Sequence, residues 1–163
     1  MARKPYGYVI YDGPSLIDGE PIVVIVNALK ASRNSKTGDM VQTYILRKDV
    51  HPVDANRTGS DYSICGDCKH RGDGTGKQRS CYVILGHGPS TTYKAYQRGI
   101  YPHANPSYVS DIVAGRMVRL GAYGDPAAVP MYVWRALTAK AEGWTGYTHQ
   151  WRKLSMSSDY PNA

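Results

Sequence analysis

The only three cysteines of the chain, Cys65, Cys68 and Cys81, fall in one stretch with the spacing C-x2-C-x12-C, and His70 follows the second by two residues. A C-x2-C turn lets two thiolates reach one metal ion, and Gly66 suits its tight backbone. A third cysteine beyond the Gly-rich excursion 72–76 completes the set. With His70 these residues make a closed Cys3His zinc site. Three thiolates alone leave an open position, which suits an iron–sulfur cluster whose fourth iron takes a small molecule.

The plain alternative is three reduced thiols used as small apolar groups, or a C-x2-C redox pair with a bystander. A loop full of Gly, Asp, Lys and Arg is a poor place for apolar thiols, and a thioredoxin-like motif opens a helix directly after a strand. A structural disulfide is not expected in a cytosol. Among the other histidines, His149 stands out beside Thr148 and Gln150, just past a segment that reads as a strand, where a polar cluster must be solvated or used. Arg33, Asn34 and Lys36 lie in a basic, Gly-containing loop able to take a phosphate or nucleic acid, although the pattern G-x-x-x-x-G-K-[ST] is not met and a hydrophilic turn fits equally.

The elements that must position these residues follow from pattern. Strands are expected at Tyr6–Tyr11, ended by Asp12-Gly13-Pro14, and at Pro21–Val26, whose β-branched run suits a strand covered on both faces in a parallel or central position. Further strands are expected at Val41–Leu46, Met117–Tyr123 and Trp144–Thr148. Helices are expected near Val53–Arg57, over Pro89–Arg98 closed by Gly99, from an Asn105-Pro106 start to Gly115, and from Pro130 to Gly143. From Val41 onward the order is strand, long cysteine loop, helices, strand, helix, strand, the grammar of βαβ units. The fold expected is α/β: a single compact domain over 1–163, mostly parallel, an incomplete barrel-like sheet with a long cysteine-containing loop and a loosely ordered tail at 153–163. In such a sheet sites lie beyond the carboxyl ends of the strands. The cysteine loop, Gly124-Asp125-Pro126 and Tyr147–Trp151 then share one rim.

Composition bounds the function classes. The chain has 163 residues, 42% of them hydrophobic and 20% charged, enough for one domain with a sizeable core. No apolar run approaches the ~18 residues that span a bilayer, and the basic start 1–5 does not read as a signal peptide, so a cytoplasmic protein is expected. Twenty Lys and Arg against thirteen Asp and Glu give a formal charge of +7, which favours nucleic acid or another anionic ligand as partner and no membrane. The aromatic set is fourteen Tyr and three Trp with no Phe, so nearly every aromatic carries a polar tip. Core packing accounts for most of them, and stacking platforms for single strands are the other use.

The strings Asn34-x-Lys36-Thr37-Gly38-Asp39-Met40-x-Gln42-Thr43, Ile64-Cys65-Gly66-Asp67-Cys68, Ser80-Cys81-Tyr82-Val83, Gly124-Asp125-Pro126 and Gly146–Trp151 resemble uncharacterised phage and proteobacterial proteins similar to the phage family called gene product 88. The resemblance runs from about Asp12 to Arg152 and implies a phage protein in the cytoplasm of its host. More distantly, a cysteine group ending in Cys-Tyr, then helix, strand with Gly-Asp, helix and strand, is similar to the first half of a radical-SAM domain. That likeness implies Cys65, Cys68 and Cys81 as ligands of a [4Fe–4S] cluster whose open iron takes S-adenosylmethionine. It further implies Tyr82 as the aromatic neighbour, with Gly124 and Asp125 near the methionine amino group. The spacing departs from the usual C-x3-C-x2-C, and three βα-type strands are about half of a partial barrel, which implies a shortened and inactive version. The competing expectation is a basic nucleic-acid-binding protein without enzymatic activity, its loop fixed by zinc on Cys65, Cys68, His70 and Cys81.

Overall fold

The computed structural model describes residues 2–30 and 38–154. Five strands form one sheet in chain order: β1 (Tyr8–Pro14), β2 (Pro21–Asn27), β3 (Val41–Arg47), β4 (Met117–Tyr123) and β5 (Gly143–Gly146). The β1/β2 and β2/β3 pairs are antiparallel, and the β3/β4 and β4/β5 pairs are parallel. The chain is thus a single compact α/β domain with a mixed, open sheet that does not close into a barrel. Parallel pairing is half of the sheet rather than most of it.

Ile22–Val26 are fully buried, as five β-branched residues covered on both faces must be. β2 is an interior strand, but both of its neighbours run antiparallel to it; the six residues 15–20 that join it to β1 are too few for a parallel crossover. β1 also runs on through Asp12-Gly13-Pro14, where the sequence pattern reads a turn. Pro14 ends the strand opposite Pro21 on the sheet edge, where no ladder hydrogen bond is lost, and the reversal falls at Ser15–Glu20, closed by Ser15 N donating to Glu20 O at 2.8 Å.

The crossover from β3 to β4 carries α1 (Pro52–Thr58), the one-turn α2 (Tyr62–Cys65), α3 (Gly88–Gln97) and α4 (Pro106–Ile112). α1 to α3 pack on β3, and α4 packs on β1 and on α5 (Met131–Thr138), the helix between β4 and β5. The caps are those the residue types favour. Asn105 Oδ1 accepts from Ser107 N at 2.9 Å ahead of Pro106, and Gly99 takes the left-handed turn after α3. α5 stops at Thr138, short of Gly143, which already opens β5. A last turn, α6 (Trp151–Leu154), follows β5, so the start of the 153–163 segment is helical and the remainder lies outside the described residues.

Candidate functional site

The carboxyl ends of β3, β4 and β5 do share one rim, and Asp125 and Gln150 tie it together. Asp125 is 5% exposed. Its Oδ1 accepts from Ala127 N at 2.9 Å, its Oδ2 accepts from His149 N at 2.8 Å and Gln150 Nε2 at 3.4 Å, and its own N–H donates to Ile64 O at 2.6 Å. Gln150 Nε2 also donates to Cys65 O at 3.0 Å, and Gln150 Oε1 accepts from Asp67 N at 3.3 Å. Gly66 must be glycine here. Its φ is +54°, and a Cβ would lie 2.5 Å from the Gln150 amide carbon.

The loop that carries the cysteines is built by backbone bonds around this clamp. Cys65 closes α2, and Cys68 N donates to Cys65 O at 3.2 Å. A 3-10 turn over Lys69–Arg71 follows. The excursion beyond it is closed by Asp73, whose Oδ1 accepts from Thr75 N at 2.8 Å and Lys77 N at 3.2 Å. The Thr75 hydroxyl and amide hold the Asp73 carboxyl below the usual carboxylate range. Cys81 is brought back by His70, whose carbonyl accepts from Ser80 N at 3.1 Å and Cys81 N at 3.0 Å. All three cysteines, which form no disulfide, line one cavity of about 400 Å³ with His70, Tyr82, Gly124, Asp125, Tyr147 and His149. That volume is in the range of small-ligand sites.

Beneath the cysteines sits a buried ion pair that the sequence pattern does not signal. Arg71 Nη2 meets Asp61 Oδ1 at 2.7 Å, Asn56 Nδ2 donates to Asp61 Oδ2 at 2.8 Å, and Arg71 Nη2 donates to Gly59 O at 3.0 Å. With both carboxylate oxygens of Asp61 answered, the pair holds the loop to the end of α1. Burial pushes the Cys65 thiol well up, with Asp61, Cys68 and Cys81 adding to it. Burial also raises Cys68, opposed by the His70 backbone N–H. Both thiols are therefore held neutral unless a cation in the cavity compensates the thiolate charge.

A second feature missed by sequence is Tyr123. It is 4% exposed and lines the cavity wall, and its hydroxyl is the one buried side-chain polar atom among the described residues with no hydrogen-bond partner. Burial pushes its phenol well up, and the charges of Cys65 and Asp61 add to the shift. An O–H orphaned beside cysteines is answered when a neighbouring sulfur carries negative charge, because an anionic acceptor is far stronger than a thiol. Soft thiol donors and an unused O–H fit a metal or iron–sulfur group in their chemistry. Among the described residues, no three His, Cys, Asp or Glu side chains form a group that could hold a metal ion as they stand.

The remaining expected residues divide. His70 faces the cavity with Nδ1 2.9 Å from Ser80 Oγ, and its ring meets His149 edge-on at 5.8 Å. His149 contributes its backbone N–H to Asp125 as well as its ring to the wall. Gly124, at φ +87°, passes so close to Ile45 that a Cβ would lie 2.6 Å from Ile45 Cβ. Tyr82 is 74% exposed at the mouth, its hydroxyl taking a hydrogen bond from Arg119. Arg33, Asn34 and Lys36 lie outside the described residues. His51 caps α1, with Nδ1 accepting from Val53 N at 3.2 Å. No described helix is long and apolar enough to cross a membrane. Comparison of the chain with models of protein families, with curated proteins and with solved structures found no match.

Proposed function

We propose that Cys65, Cys68 and Cys81 hold a [4Fe–4S] cluster that leaves one iron open to a small molecule, S-adenosylmethionine in the radical-SAM reading. The observation that carries it is the convergence of every cysteine in the chain on one cavity at the carboxyl edge of the parallel strands. When bound and reduced, such a cluster supplies the electron for reductive cleavage of S-adenosylmethionine. The chain's own residues have separable tasks. With the cluster bound, Tyr123 would offer its O–H to an anionic sulfur; Tyr82 covers the mouth, and Gly124 brings the second strand end against the wall. Asp125 spends its carboxylate on Ala127, His149 and Gln150, so it shapes the wall. Kinship with the phage gene product 88 family and with the first half of a radical-SAM domain, and a cytoplasmic place in a phage's host, belong to the same proposal and rest on the sequence motifs.

A zinc site is the second reading, favoured by His70. Ser80 engages its Nδ1, which leaves Nε2 as the nitrogen a metal would take, the usual arrangement of a ligating histidine. One experiment separates the readings: anaerobic expression with iron supplied, metal and sulfide analysis, and an absorption spectrum. The cluster predicts about four irons with matching sulfide, lost in Cys65→Ala, Cys68→Ala and Cys81→Ala and kept in His70→Ala. Stoichiometric zinc that also disappears in His70→Ala turns the loop into a Cys3His site. Full metal content in any single cysteine variant, or no metal in the parent chain, overturns the shared site.

A further inference from the structure

Parallel strands are normally covered on both faces by apolar packing. β4 obeys this fully on one face only, and on the other only at its last residue, Tyr123. Val118, Leu120 and Ala122 are buried, whereas Met117, Arg119 and Gly121, on the alternate positions, keep part of their surface in water. Thr145 of β5 lies in register beside Arg119, and Leu120 pairs with Gly146 at the end of β5; Gly121 and Tyr147, the residues that follow, both line the cavity. This face therefore presents a guanidinium, a glycine and a threonine where a covered sheet would present Val and Leu.

The face runs into the cavity mouth, where the aromatics are turned outward. Tyr82 is 74% exposed, Tyr147 78% and Trp151 59%, and Tyr82 and Tyr147 line the cavity itself. Two of the three carry a guanidinium. Arg119 stands 5.9 Å from the Tyr82 ring centre and bonds its hydroxyl, and Arg152 stands 4.9 Å over Trp151. Arg79 adds a third guanidinium on the wall, donating to Cys81 O at 3.2 Å. The carboxylates nearby are spent: Asp61 on Arg71, Asp67 on Lys153, and Asp125 on backbone N–H groups.

We infer that this surface binds single-stranded nucleic acid, with bases stacked on Tyr82, Tyr147 and Trp151 and phosphates met by Arg79, Arg119 and Arg152. Exposed rings match unpaired bases, which have free faces, and a duplex offers none. Cations beside the rings match a backbone charged at every residue and suit an acidic strand better than an apolar peptide, in keeping with the net +7. The inference does not depend on what the thiols hold.

The test is fluorescence anisotropy with labelled oligo-dT and oligo-rU of about 12 nucleotides, a length within the usual site size, against a duplex of equal length, using the metal-free and the metal-loaded chain. Single strands are expected to bind at least tenfold more tightly than duplex in both forms. Three phosphate contacts predict a loss of about 20-fold between roughly 50 and 200 mM salt. Tyr82→Ser, Tyr147→Ser and Trp151→Ser, all at exposed positions that folding does not need, each weaken binding about tenfold. Arg119→Gln weakens it more than Lys94→Gln, which removes an exposed charge from α3. Equal binding of duplex, full affinity in the three aromatic variants, equal loss from Arg119→Gln and Lys94→Gln, or no binding at low salt would each overturn the inference.

Discussion

β2 packs Ile22, Val23, Val24, Ile25 and Val26 into a core where none of them touches water, whereas β4, two strands away in the same sheet, alternates Val118, Leu120 and Ala122 with Arg119 and Gly121. The antiparallel half is held by burial, each such side chain contributing about 1.5–3 kcal/mol. The rim of the parallel half is held by hydrogen bonds that cross the chain: Asp125 to His149, Gln150 to Cys65, and Asp61 to Arg71. A dry half of this kind sets overall stability. A half clamped at discrete polar points can be altered locally while the sheet stays folded.

The largest effect expected comes from breaking the dry half. Val24→Asp buries an unpaired charge and should cost more than about 4 kcal/mol, so circular dichroism at 25 °C would find the chain unfolded; a folded variant would mean that β2 is not the core. Breaking the clamp should do less. Asp125→Ala strips the acceptor from Ala127 N, His149 N and the Gln150 amide, for a loss of about 3 kcal/mol by urea denaturation. Hydrogen exchange should then rise across 62–81 and 147–150 ahead of β2, and uniform loosening would erase the distinction between the halves.

Gly66→Ala tests the same clamp from the loop side. The left-handed backbone and the Gln150 amide together predict a cost of about 1–2 kcal/mol, with the thiol loop displaced and the sheet intact. Thiol alkylation rates would change in such a variant while its far-UV spectrum would not. The smallest effect belongs to Tyr123→Phe, which deletes the orphaned hydroxyl. In metal-free protein the thermal midpoint should hold or rise, because no hydrogen bond is lost and a buried polar atom is removed. In protein loaded with iron and sulfide the same variant should shift the reduction potential. A drop in metal-free stability instead would mean that the hydroxyl already has a partner.

What the sequence makes legible follows the same division. The runs at 21–26, 41–46 and 117–123, the Asn105-Pro106 cap and Gly99 are local signals, and all stand where the pattern predicts. The rim was also legible, since strand order alone puts Cys65–Cys81, Gly124–Pro126 and Tyr147–Trp151 at the carboxyl ends. Pairing direction was not legible: the thirteen residues between β2 and β3 allow a parallel crossover as well as an antiparallel return, and only the sheet register chooses. Nor was the turn at Asp12-Gly13-Pro14, because on a sheet edge the missing proline N–H costs nothing.

By itself, the sequence determined the α/β class, the buried run of β2 and the clustering of three thiols on one loop, because each depends on residue type and spacing along the chain. Only the tertiary structure decided that Asp125 clamps the wall, that Asp61 and Arg71 pair beneath the thiols, and that the Tyr123 hydroxyl is left without a partner. These features join residues far apart in sequence or turn on what is missing around one atom, and the free energy of a buried polar group depends on its neighbours in space.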